Sequence, residues 1–256
     1  MRLLISLFLL LSGGCILIDV DGERTLTFSG YQWTVKDGFL APGPNHFSDS
    51  PSNVYVDSEE ALHLKIEQRN SRWYSSEVIS EESFGYGRYL FHIDGQIDQL
   101  DPQAVLGLFT WDTEPGEYHR EIDIEFSRWG DAETTTNGQY VVQPHNVDAN
   151  KREFNFSLPT GMDSIYTTHV LEWRADEVVI TSYYGHYSLA ELDAAELDTS
   201  APMPPTLTDP WIYAGDVPTP GNAQVRMNLW LFKGETTPNT SDQELIIKHF
   251  SFSSDE

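Results

Sequence analysis

Residues 120–126, Arg-Glu-Ile-Asp-Ile-Glu-Phe, alternate acidic and apolar side chains. Successive side chains of a β-strand point to opposite faces, so Glu121, Asp123 and Glu125 share one face and the apolar residues between them share the other. The pattern therefore predicts a strand with a core face and an acidic face. Solvated strand faces usually mix charges, because like charges along one face repel each other. Two interpretations stay open at this point: a solvated face, or a site that uses crowded carboxylates.

Short apolar or alternating runs also recur elsewhere between turn residues, as in "ALHLKIEQ", "GRYLFHID", "AVLGLFTW", "GQYVVQP", "EVVITSYY" and "VRMNLWLF". Their spacing and β-branched content favour an all-β, two-sheet antiparallel sandwich over alternating strands and helices. The one predicted helix runs from Ser188 to Asp198, and the proline-rich segment that follows would end it. A chain of 256 residues suits a single domain of this class.

The N-terminus reads as an export signal followed by a tether. Residues 1–15 combine an arginine, a short apolar run and small residues before Cys15, the sole cysteine. The position of Cys15 resembles the lipobox at which bacterial lipoproteins are cleaved and acylated, although Ser12 stands where leucine is usual. We expect a lipid anchor at the bacterial cell envelope, with ordinary secretion as the alternative. Residues 16–25 are expected to be a tether and 26–256 a single catalytic domain.

The charge balance restricts the partners. Forty acidic against 15 basic residues give a formal net charge of -25, which argues against nucleic acid because phosphate contacts need a basic face. A neutral ligand is favoured, and a monomer is expected, with no membrane contact except through the lipid anchor. Solubility in salty surroundings would explain most of the charge equally well.

Glycoside hydrolysis gives a chemical reason for crowding acids, since it needs one ionised and one protonated carboxyl, and neighbouring carboxyls push their pKa values apart. Geometry adds a condition. At about 3.3 Å per residue the Cα atoms of Glu121 and Glu125 lie roughly 13 Å apart, whereas retaining enzymes hold their carboxyls about 5–5.5 Å apart. The strand should therefore curve and line a concave cleft.

The segment "EIDIEF" resembles the active-site signature of glycoside hydrolase family 16, whose members cut β-glucans and related polysaccharides on a concanavalin A-like jelly roll. Further segments resemble the family in the same order: "GPNHFSDSPSNVYVDSEEALHLKI", "SSEVISEESFGYGRYLFHI", "VLGLFTW", "VLEWRADEVVITSYYG" and "VRMNLWLF". The spacing without an extra residue before Glu125 is similar to the lichenase and xyloglucan-enzyme branch. The resemblance implies a concave substrate cleft and a retaining endo-β-glucanase acting on β-1,3-1,4- or β-1,3-glucan.

Carried over by position, the resemblance implies Glu121 as nucleophile, Glu125 as general acid and base, and Asp123 as the acid that tunes them. Eight further positions are expected to contact substrate: Asn45, Glu77, Trp111, His119, Gln139, Gln143, Asn228 and Trp230. The chain departs from lichenase at His119, where tryptophan is expected, and at Ile79, where arginine is expected. The substrate preference is therefore open. A transglycosylase and a non-catalytic, lectin-like glycan-binding module are the alternatives.

No cofactor or metal is required for this chemistry. The family's structural calcium site lies opposite the cleft and uses an aspartate near the position of His249, and imidazole is a poor ligand for so hard a cation. Other acidic residues could supply ligands, so a structural calcium stays unassigned.

Overall fold

The computed structural model describes residues 17–18, 22–162, 164–198, 200, 202–237 and 240–254. The strands are β1 (Leu17–Ile18), β2 (Arg24–Phe28), β3 (Tyr31–Val35), β4 (Gly38–Leu40), β5 (Asn45–Phe47), β6 (Val54–Val56), β7 (Leu62–Arg69), β8 (Arg72–Tyr74), β9 (Ser76–Ser83), β10 (Gly87–Asp94), β11 (Ala104–Trp111), β12 (Ile122–Ser127), β13 (Gly138–Val142), β14 (Lys151–Phe154), β15 (Tyr166–Trp173), β16 (Val178–Tyr184), β17 (Trp211–Tyr213), β18 (Gln224–Leu231) and β19 (Gln243–Ser254). The α-helix α1 spans Leu189–Leu197, and 3-10 turns span Ile97–Gln99, Gly116–Arg120, Asp148–Asn150 and Phe232–Gly234. The predicted export signal and the anchor at Cys15 lie outside the described residues.

Two antiparallel sheets form the sandwich. The front sheet has the order β1-β2-β3-β9-β18-β11-β12-β13-β14, and the back sheet has the order β17-β16-β15-β10-β19-β7-β6, with β8 added to β7. A separate hairpin pairs β4 with β5. The predicted all-β sandwich is therefore confirmed, and the acidic segment lies on β12 in the front sheet.

The core lies between the sheets and takes one face of β12. Ile122, Ile124 and Phe126 are fully buried, and the Phe126 ring lies 4.9 Å from the ring of His169 on β15 in the back sheet. A polar contact also joins the sheets, because the Tyr140 hydroxyl donates to Ser182 Oγ at 2.7 Å. Burying these side chains inward directs the alternate residues of β12 outward, as the sequence predicts.

The predicted helix is present almost to the residue. Ser188 is its N-cap and forms a capping box with Glu191, in which each residue bonds the backbone N–H of the other. Asp198 follows the last helical turn. None of the helices among the described residues has the length and apolar character needed to cross a membrane.

The expected tether extends too far. Strand β2 begins at Arg24, and residues 17–18 pair with it at the edge of the front sheet. Arg24 is buried, and its guanidinium donates to the carbonyls of Asp49 at 2.7 Å and Val54 at 2.8 Å. The folded part thus begins before residue 26, because an arginine that looks like a linker residue satisfies backbone carbonyls inside the sandwich.

Besides His63 on β7, four histidines belong to the back sheet or its edge. The His92 and His186 rings stack 4.3 Å apart, with His249 5.6 Å from His92, whereas His169 is fully buried between Ser182 and Thr167. Burial lowers the pKa of His92 to about 4 and that of His169 to about 3. The fold therefore holds both imidazoles neutral where an unfolded chain would protonate them.

We expect the lowered pKa of buried His169 to make the folded protein less stable as the pH falls. Because the pKa of His169 is lower in the folded state, its contribution to stability is complete above pH ~6.5 and is lost as the pH falls toward about 3. His169→Gln keeps hydrogen-bonding groups toward Ser182 and Thr167 without titrating. Urea unfolding between pH 7 and 4 should show a smaller loss of free energy of unfolding in this variant than in wild type.

His145→Gln is the matched control, because His145 is exposed on a loop. It should keep the wild-type dependence on pH. Burial raises the pKa values of Glu121, Asp123 and Glu125 in the front sheet, which makes the folded state more stable as the pH falls, so each variant is compared with wild type at the same pH. Identical pH profiles for His169→Gln and wild type would refute the assignment.

Candidate active site

The acidic face of β12 opens onto a cleft in the front sheet. Glu121 directly precedes the strand, at the end of the 3-10 turn Gly116–Arg120, and Asp123 and Glu125 lie within it. All three side chains line the same cleft, whose volume is about 690 Å³. Asp123 is buried, and the two glutamates are half-buried. The alternation seen in the sequence thus brings the three carboxyls into one site.

Side chains on neighbouring strands form a row across the front sheet, in register with Glu125. Glu125 on β12 is in register with Gln139 on β13 and with Gly107 on β11. Gly107 faces Asn228 on β18, and Asn228 faces Glu77 on β9. Five strands therefore bring four predicted site residues and Gly107 beside each other, although they are far apart along the chain.

Gly107 is the small member of this row. A Cβ at this position would lie 2.5 Å from Asn228 Oδ1, closer than unbonded atoms approach. Asn228 is itself buried, and its Oδ1 has no hydrogen-bond partner among the described residues. The absence of a side chain at Gly107 therefore leaves room for the Asn228 amide. Its Oδ1 remains an acceptor for a ligand or water.

Burial raises the pKa of Glu121, Asp123 and Glu125, and repulsion adds to the rise at Glu121 and Asp123. Burial followed by the charge of Glu125 raises the pKa of Glu121 to about 8. Burial, then Glu121 and Glu125, raises the pKa of Asp123 well above its usual range, and burial raises that of Glu125. Asp123 donates a hydrogen bond to Glu121, which stabilises the Glu121 anion. The three carboxyls therefore lose their protons at higher pH than free carboxyls do, and because they interact the site can supply both an acid and a carboxylate.

Two glutamines expected to contact substrate hydrogen-bond the acids. Gln139 Nε2 donates to Glu125 Oε2 at 2.6 Å, and Gln143 Nε2 donates to Asp123 Oδ2 at 2.9 Å. Each bond stabilises the ionised carboxylate and lowers its pKa against the effect of burial. Both glutamines also line the cleft. Their amides fix the orientation of the carboxyls, a role that the sequence pattern alone did not reveal.

Aromatic rings form much of the cleft wall: Phe109, Trp111, Trp129, Trp230 and Phe232. Trp111 and Trp230 are half-buried, so part of each ring faces the cleft. Aromatic faces suit the CH-rich sides of sugar rings because they offer a large apolar surface beside polar neighbours. Trp111 and Trp230 were both predicted from the sequence, and the structure places both at the cleft.

His119 supports the wall from behind. Its ring stacks on Trp111 with centroids 4.1 Å apart, and its Nδ1 hydrogen-bonds the Asp112 carbonyl at 2.9 Å. The residue is outside the cleft lining. Residues 117–120 all have left-handed backbone angles, with φ between 50° and 62°, which is costly for non-glycine residues. The turn that carries His119 and delivers Glu121 is therefore held by its surroundings.

Asn45 is likewise placed behind the cleft and not on its surface. It is buried, and its Nδ2 donates to the carbonyls of Pro42 at 2.8 Å and Leu231 at 2.9 Å. Its Oδ1 accepts from Ser75 Oγ at 3.0 Å and from the Leu231 N–H at 3.3 Å. These bonds tie the β4–β5 hairpin loop to the end of β18. The expected direct contact with substrate is replaced by a role in holding Pro42, which does line the cleft.

Glu77 is fully buried at the opposite side of the cleft from Gln139, and three donors surround it. Lys36 Nζ lies 2.8 Å from Oε2, Asn228 Nδ2 donates to the same oxygen at 3.3 Å, and Arg226 Nη1 lies 3.2 Å from Oε1. A buried carboxylate needs such partners to remain ionised. Glu77 thus organises one wall of the cleft, where the sequence had suggested only a contact with substrate.

Several cleft residues escaped prediction. Arg226 lies opposite Ile79 in the register of β18 and β9, so a guanidinium enters from the neighbouring strand where the resemblance leads one to expect arginine on β9. The sequence contains a pattern that could have identified Arg226, because it alternates with Asn228 and Trp230 and therefore shares their face of the strand. The other unpredicted lining residues come mainly from loops and neighbouring strands: Lys36, Ala41, Pro42, Phe109, Trp129, His145, Glu153 and Phe232.

The region around His249 does not fit calcium. Its ring lies beside that of His92 and its Nδ1 is 3.5 Å from Ser29 Oγ, so the nearest donors include imidazoles rather than carboxylates. Among the described residues, no group of three His, Cys, Asp or Glu side chains is arranged to hold a metal ion.

Comparison with solved structures confirms the predicted architecture: the chain has a jelly-roll sandwich fold like that of known β-glucanases. A β-glucanase of Bacillus licheniformis is similar with a TM-score of 0.58 and 17% identity, over 87% of this chain and 92% of that one. A β-1,3-1,4-glucanase (lichenase) from a mouse hindgut metagenome gives 0.56 and 16%, over 86% and 92%. An immunostimulatory antigen and pseudo β-1,3-glucanase of Mycobacterium tuberculosis gives 0.57 and 17%, over 88% and 91%.

No protein-family model matches the sequence, and neither does any curated protein sequence. At identities below 20% the structural likeness establishes the fold. What the site does has to be inferred from its own residues.

The exposure of Trp230 predicts a modest role in stability. Because part of its ring faces the cleft, Trp230→Ala should lower the free energy of unfolding by clearly less than the about 3–5 kcal/mol typical of a buried tryptophan. Urea denaturation monitored by circular dichroism measures the difference.

Trp33→Ala serves as the comparison. Trp33 is fully buried, and its Nε1 donates to the Phe28 carbonyl at 3.0 Å, so this variant should show the full loss. An equal loss in the two variants would mean that Trp230 belongs to the core.

Proposed function

We propose that the protein is a retaining, endo-acting glycoside hydrolase that cleaves β-linked glucan. The observation that carries this proposal is the set of three carboxyls on one face of β12 over a cleft, each with a different partner. Glu121 accepts from Asp123, Asp123 also accepts from Gln143, and Glu125 accepts from Gln139. A surface strand has no use for three buried acids with raised pKa values, whereas double displacement at a glycosidic bond does.

The first step assigns Glu121 and Glu125 opposite tasks. Ionised Glu121 attacks the anomeric carbon while protonated Glu125 gives its proton to the glycosidic oxygen, so that the carbon–oxygen bond breaks and a glycosyl ester of Glu121 forms. Glu125, now a carboxylate, then takes a proton from water as the water oxygen attacks the same carbon, and Glu121 leaves as carboxylate. The hydrogen bond from Asp123 holds Glu121 and stabilises its negative charge in both steps.

The choice of a neutral substrate rests on charge and shape. The protein carries a formal net charge of -25, and its cleft combines four carboxylic residues besides Glu77 with several aromatic rings. Such a surface repels polyanions and offers apolar faces to sugar rings. Two of the similar structures described above are β-glucanases, which favours β-1,3-1,4- or β-1,3-glucan within this class.

A non-catalytic glycan-binding module is the rival, and one similar protein is described as a pseudo β-1,3-glucanase. The retention of Glu121, Asp123 and Glu125 together favours catalysis, because binding a neutral sugar does not require three crowded acids. A reducing-sugar screen of the soluble domain distinguishes the two. Barley β-glucan and laminarin are expected to be cut, with xyloglucan, agarose and carrageenan as comparison substrates.

The two glutamates should respond differently to substitution. Glu125→Ala removes the proton donor and should lower kcat on glucan by about 10²–10⁴-fold, with a much smaller loss on an aryl glycoside whose leaving group needs no proton. Azide should then yield a β-glycosyl azide, since Glu121 still forms the intermediate. Glu121→Ala should abolish turnover of glucan, and azide in the vacated space should displace the leaving group of an activated β-aryl glycoside from the α face, giving an α-glycosyl azide. Product analysis by NMR identifies the azides.

Two further variants control for loss of charge. Asp123→Asn keeps the shape of the side chain and should lower the rate by less than either glutamate change. Glu153→Ala removes a carboxylate that lines the cleft from the edge strand β14, and should stay close to the wild-type rate. If Glu121→Ala and Glu125→Ala both keep wild-type activity on every glucan that the parent cuts, the proposal is wrong.

A further inference from the structure

The backbone of Glu121 is held differently from that of the other two acids in the cleft. Asp123 and Glu125 lie within β12 and are in register with β11 on one side and β13 on the other. Glu121 precedes the strand and follows a 3-10 turn. Its carbonyl accepts from the Gln143 N–H at 3.1 Å, and its N–H makes a long bond of 3.4 Å to the Tyr118 carbonyl. Backbone pairing with β13 therefore holds Glu121 from one side.

Thr110 on β11 holds Glu121 from the other side. The Thr110 hydroxyl donates to the Arg120 carbonyl at 2.8 Å and accepts from the Ile122 N–H at 3.2 Å. These two groups belong to the two planar peptide units that meet at the Glu121 Cα atom, and rotations of these units are the φ and ψ angles of Glu121. One oxygen atom thus fixes both angles, at a φ of -82° and a ψ of 123°.

The Thr110 hydroxyl lies on the core side of the front sheet. Thr110 is 1% exposed, and its chain neighbours Phe109 and Trp111 line the cleft, so alternation directs the threonine inward. Ile122, which is in register with Thr110, is fully buried on this side. A hydroxyl in an apolar layer is unfavourable unless it is hydrogen-bonded, and valine would fill the same space without that requirement. The hydrogen bonds of this hydroxyl go to the segment around Glu121.

The turn before Glu121 is anchored separately, through a side chain. The buried Asp112 carboxylate lies 3.2 Å from Arg120 Nη1 and accepts from the Asn222 N–H at 2.8 Å. Gly221 permits this approach, because it has a left-handed φ of 53° and a Cβ there would lie 2.6 Å from Asp112 Oδ2. Asp112 therefore fixes the side chain of the residue before Glu121, whereas the threonine hydroxyl fixes the peptide groups.

We propose that Thr110 is a positioning residue that aims the carboxylate of Glu121 through its backbone. The inference rests on the proposed function, in which Glu121 attacks the anomeric carbon while Glu125 gives its proton to the glycosidic oxygen. The two peptide units set the direction of the Glu121 Cα–Cβ bond, so holding them keeps the carboxylate in line with that carbon. Precision of this kind matters, because a misplacement of about 1 Å can lower a rate by about a hundredfold.

The test compares Thr110→Val, which keeps the shape of the side chain, with Thr110→Ser, which keeps the hydroxyl. Thr110→Val should lower kcat/KM on an activated aryl β-glycoside by about ten- to a hundredfold, because this substrate needs attack by Glu121 but no proton from Glu125. Thr110→Ser should restore most of the rate. If Thr110→Val does not fold, Thr110→Ala is compared with Thr110→Ser, since these two differ in the hydroxyl alone.

Binding separates positioning of the nucleophile from damage to the cleft. In a Glu121→Gln background, which prevents turnover, Thr110→Val should leave the Kd of an oligosaccharide of the cleaved glucan unchanged by isothermal titration calorimetry. A fall in affinity that accounts for the whole loss of kcat/KM would overturn the proposal, because Thr110 would then shape the cleft and not the attack.

Thr168→Val is the matched control, because Thr168 on β15 in the back sheet makes the same pair of bonds. Its hydroxyl donates to the Gly185 carbonyl at 2.8 Å and accepts from the Tyr187 N–H at 3.0 Å, and the residue is fully buried. Thr168→Val should lower the melting temperature as Thr110→Val does, yet keep the wild-type kcat/KM. An equal loss of activity in the two variants would overturn the proposal, and so would wild-type activity in Thr110→Val.

Hydrogen exchange followed by NMR supplies a readout that needs no substrate. The Ile122 amide should exchange about tenfold faster in Thr110→Val than in wild type, because its acceptor is gone, whereas Thr168→Val should leave that amide unchanged. An unchanged Ile122 rate in Thr110→Val would overturn the proposal. If wild type cuts no glycan, the proposed function fails, and the exchange rate still decides whether Thr110 holds the segment around Glu121.

Discussion

The strict alternation of side chains on β12 is the constraint from which the site follows. Ile122, Ile124 and Phe126 have to be buried against the back sheet, and the intervening residues are then directed outward together. Three carboxyls consequently meet in one cleft although their charges repel. The hydrophobic effect, which acts over the whole sandwich core, overrides a repulsion that acts at three positions.

The residues around β12 make these crowded carboxyls suitable for acid–base chemistry. Burial keeps protons on the acids at a pH where free carboxyls would lose them, while Gln139 and Gln143 hold each carboxylate by a directed hydrogen bond. On the opposite side, Glu77 is a buried carboxylate whose partners include Lys36 and Arg226. The side of the cleft formed by β12 therefore holds carboxyls with raised pKa values, and the side formed by β9 and β18 holds the ion pair of Glu77 and Arg226.

The sequence predicted local features well and non-local ones poorly. The strand around Asp123 and the helix after Ser188 follow from periodicity and capping, which depend on residues close in the chain. The location of Trp111 and Trp230 at the cleft could also be predicted from the sequence. What could not be read was the pairing of β18 with β9, which brings Arg226 opposite Ile79, because register between distant strands is set by tertiary packing.

Asn45 and His119, which were expected to contact sugar, support the cleft from behind, while Gln139 and Gln143 line the cleft and also fix the acids, because polar groups need partners. Asn45 uses both ends of its amide inside the protein, Gln139 donates to Glu125, and His119 bonds a carbonyl while stacking on Trp111. A buried polar side chain is more stable when its partners are already present. Sequence shows that a polar residue lies near a site, but only the fold shows which partner it has.

The central claim is that Glu121 and Glu125 act as a nucleophile and an acid on one face of one strand, and the anomeric form of the first product tests it most directly. A glucan oligosaccharide is hydrolysed in D₂O, and the anomeric protons are followed by ¹H NMR from the first minutes. Double displacement predicts that the β-anomer forms first and the α-anomer appears later by mutarotation. Initial release of the α-anomer would contradict the account, because inversion needs carboxyls about 6.5–9.5 Å apart with water between them.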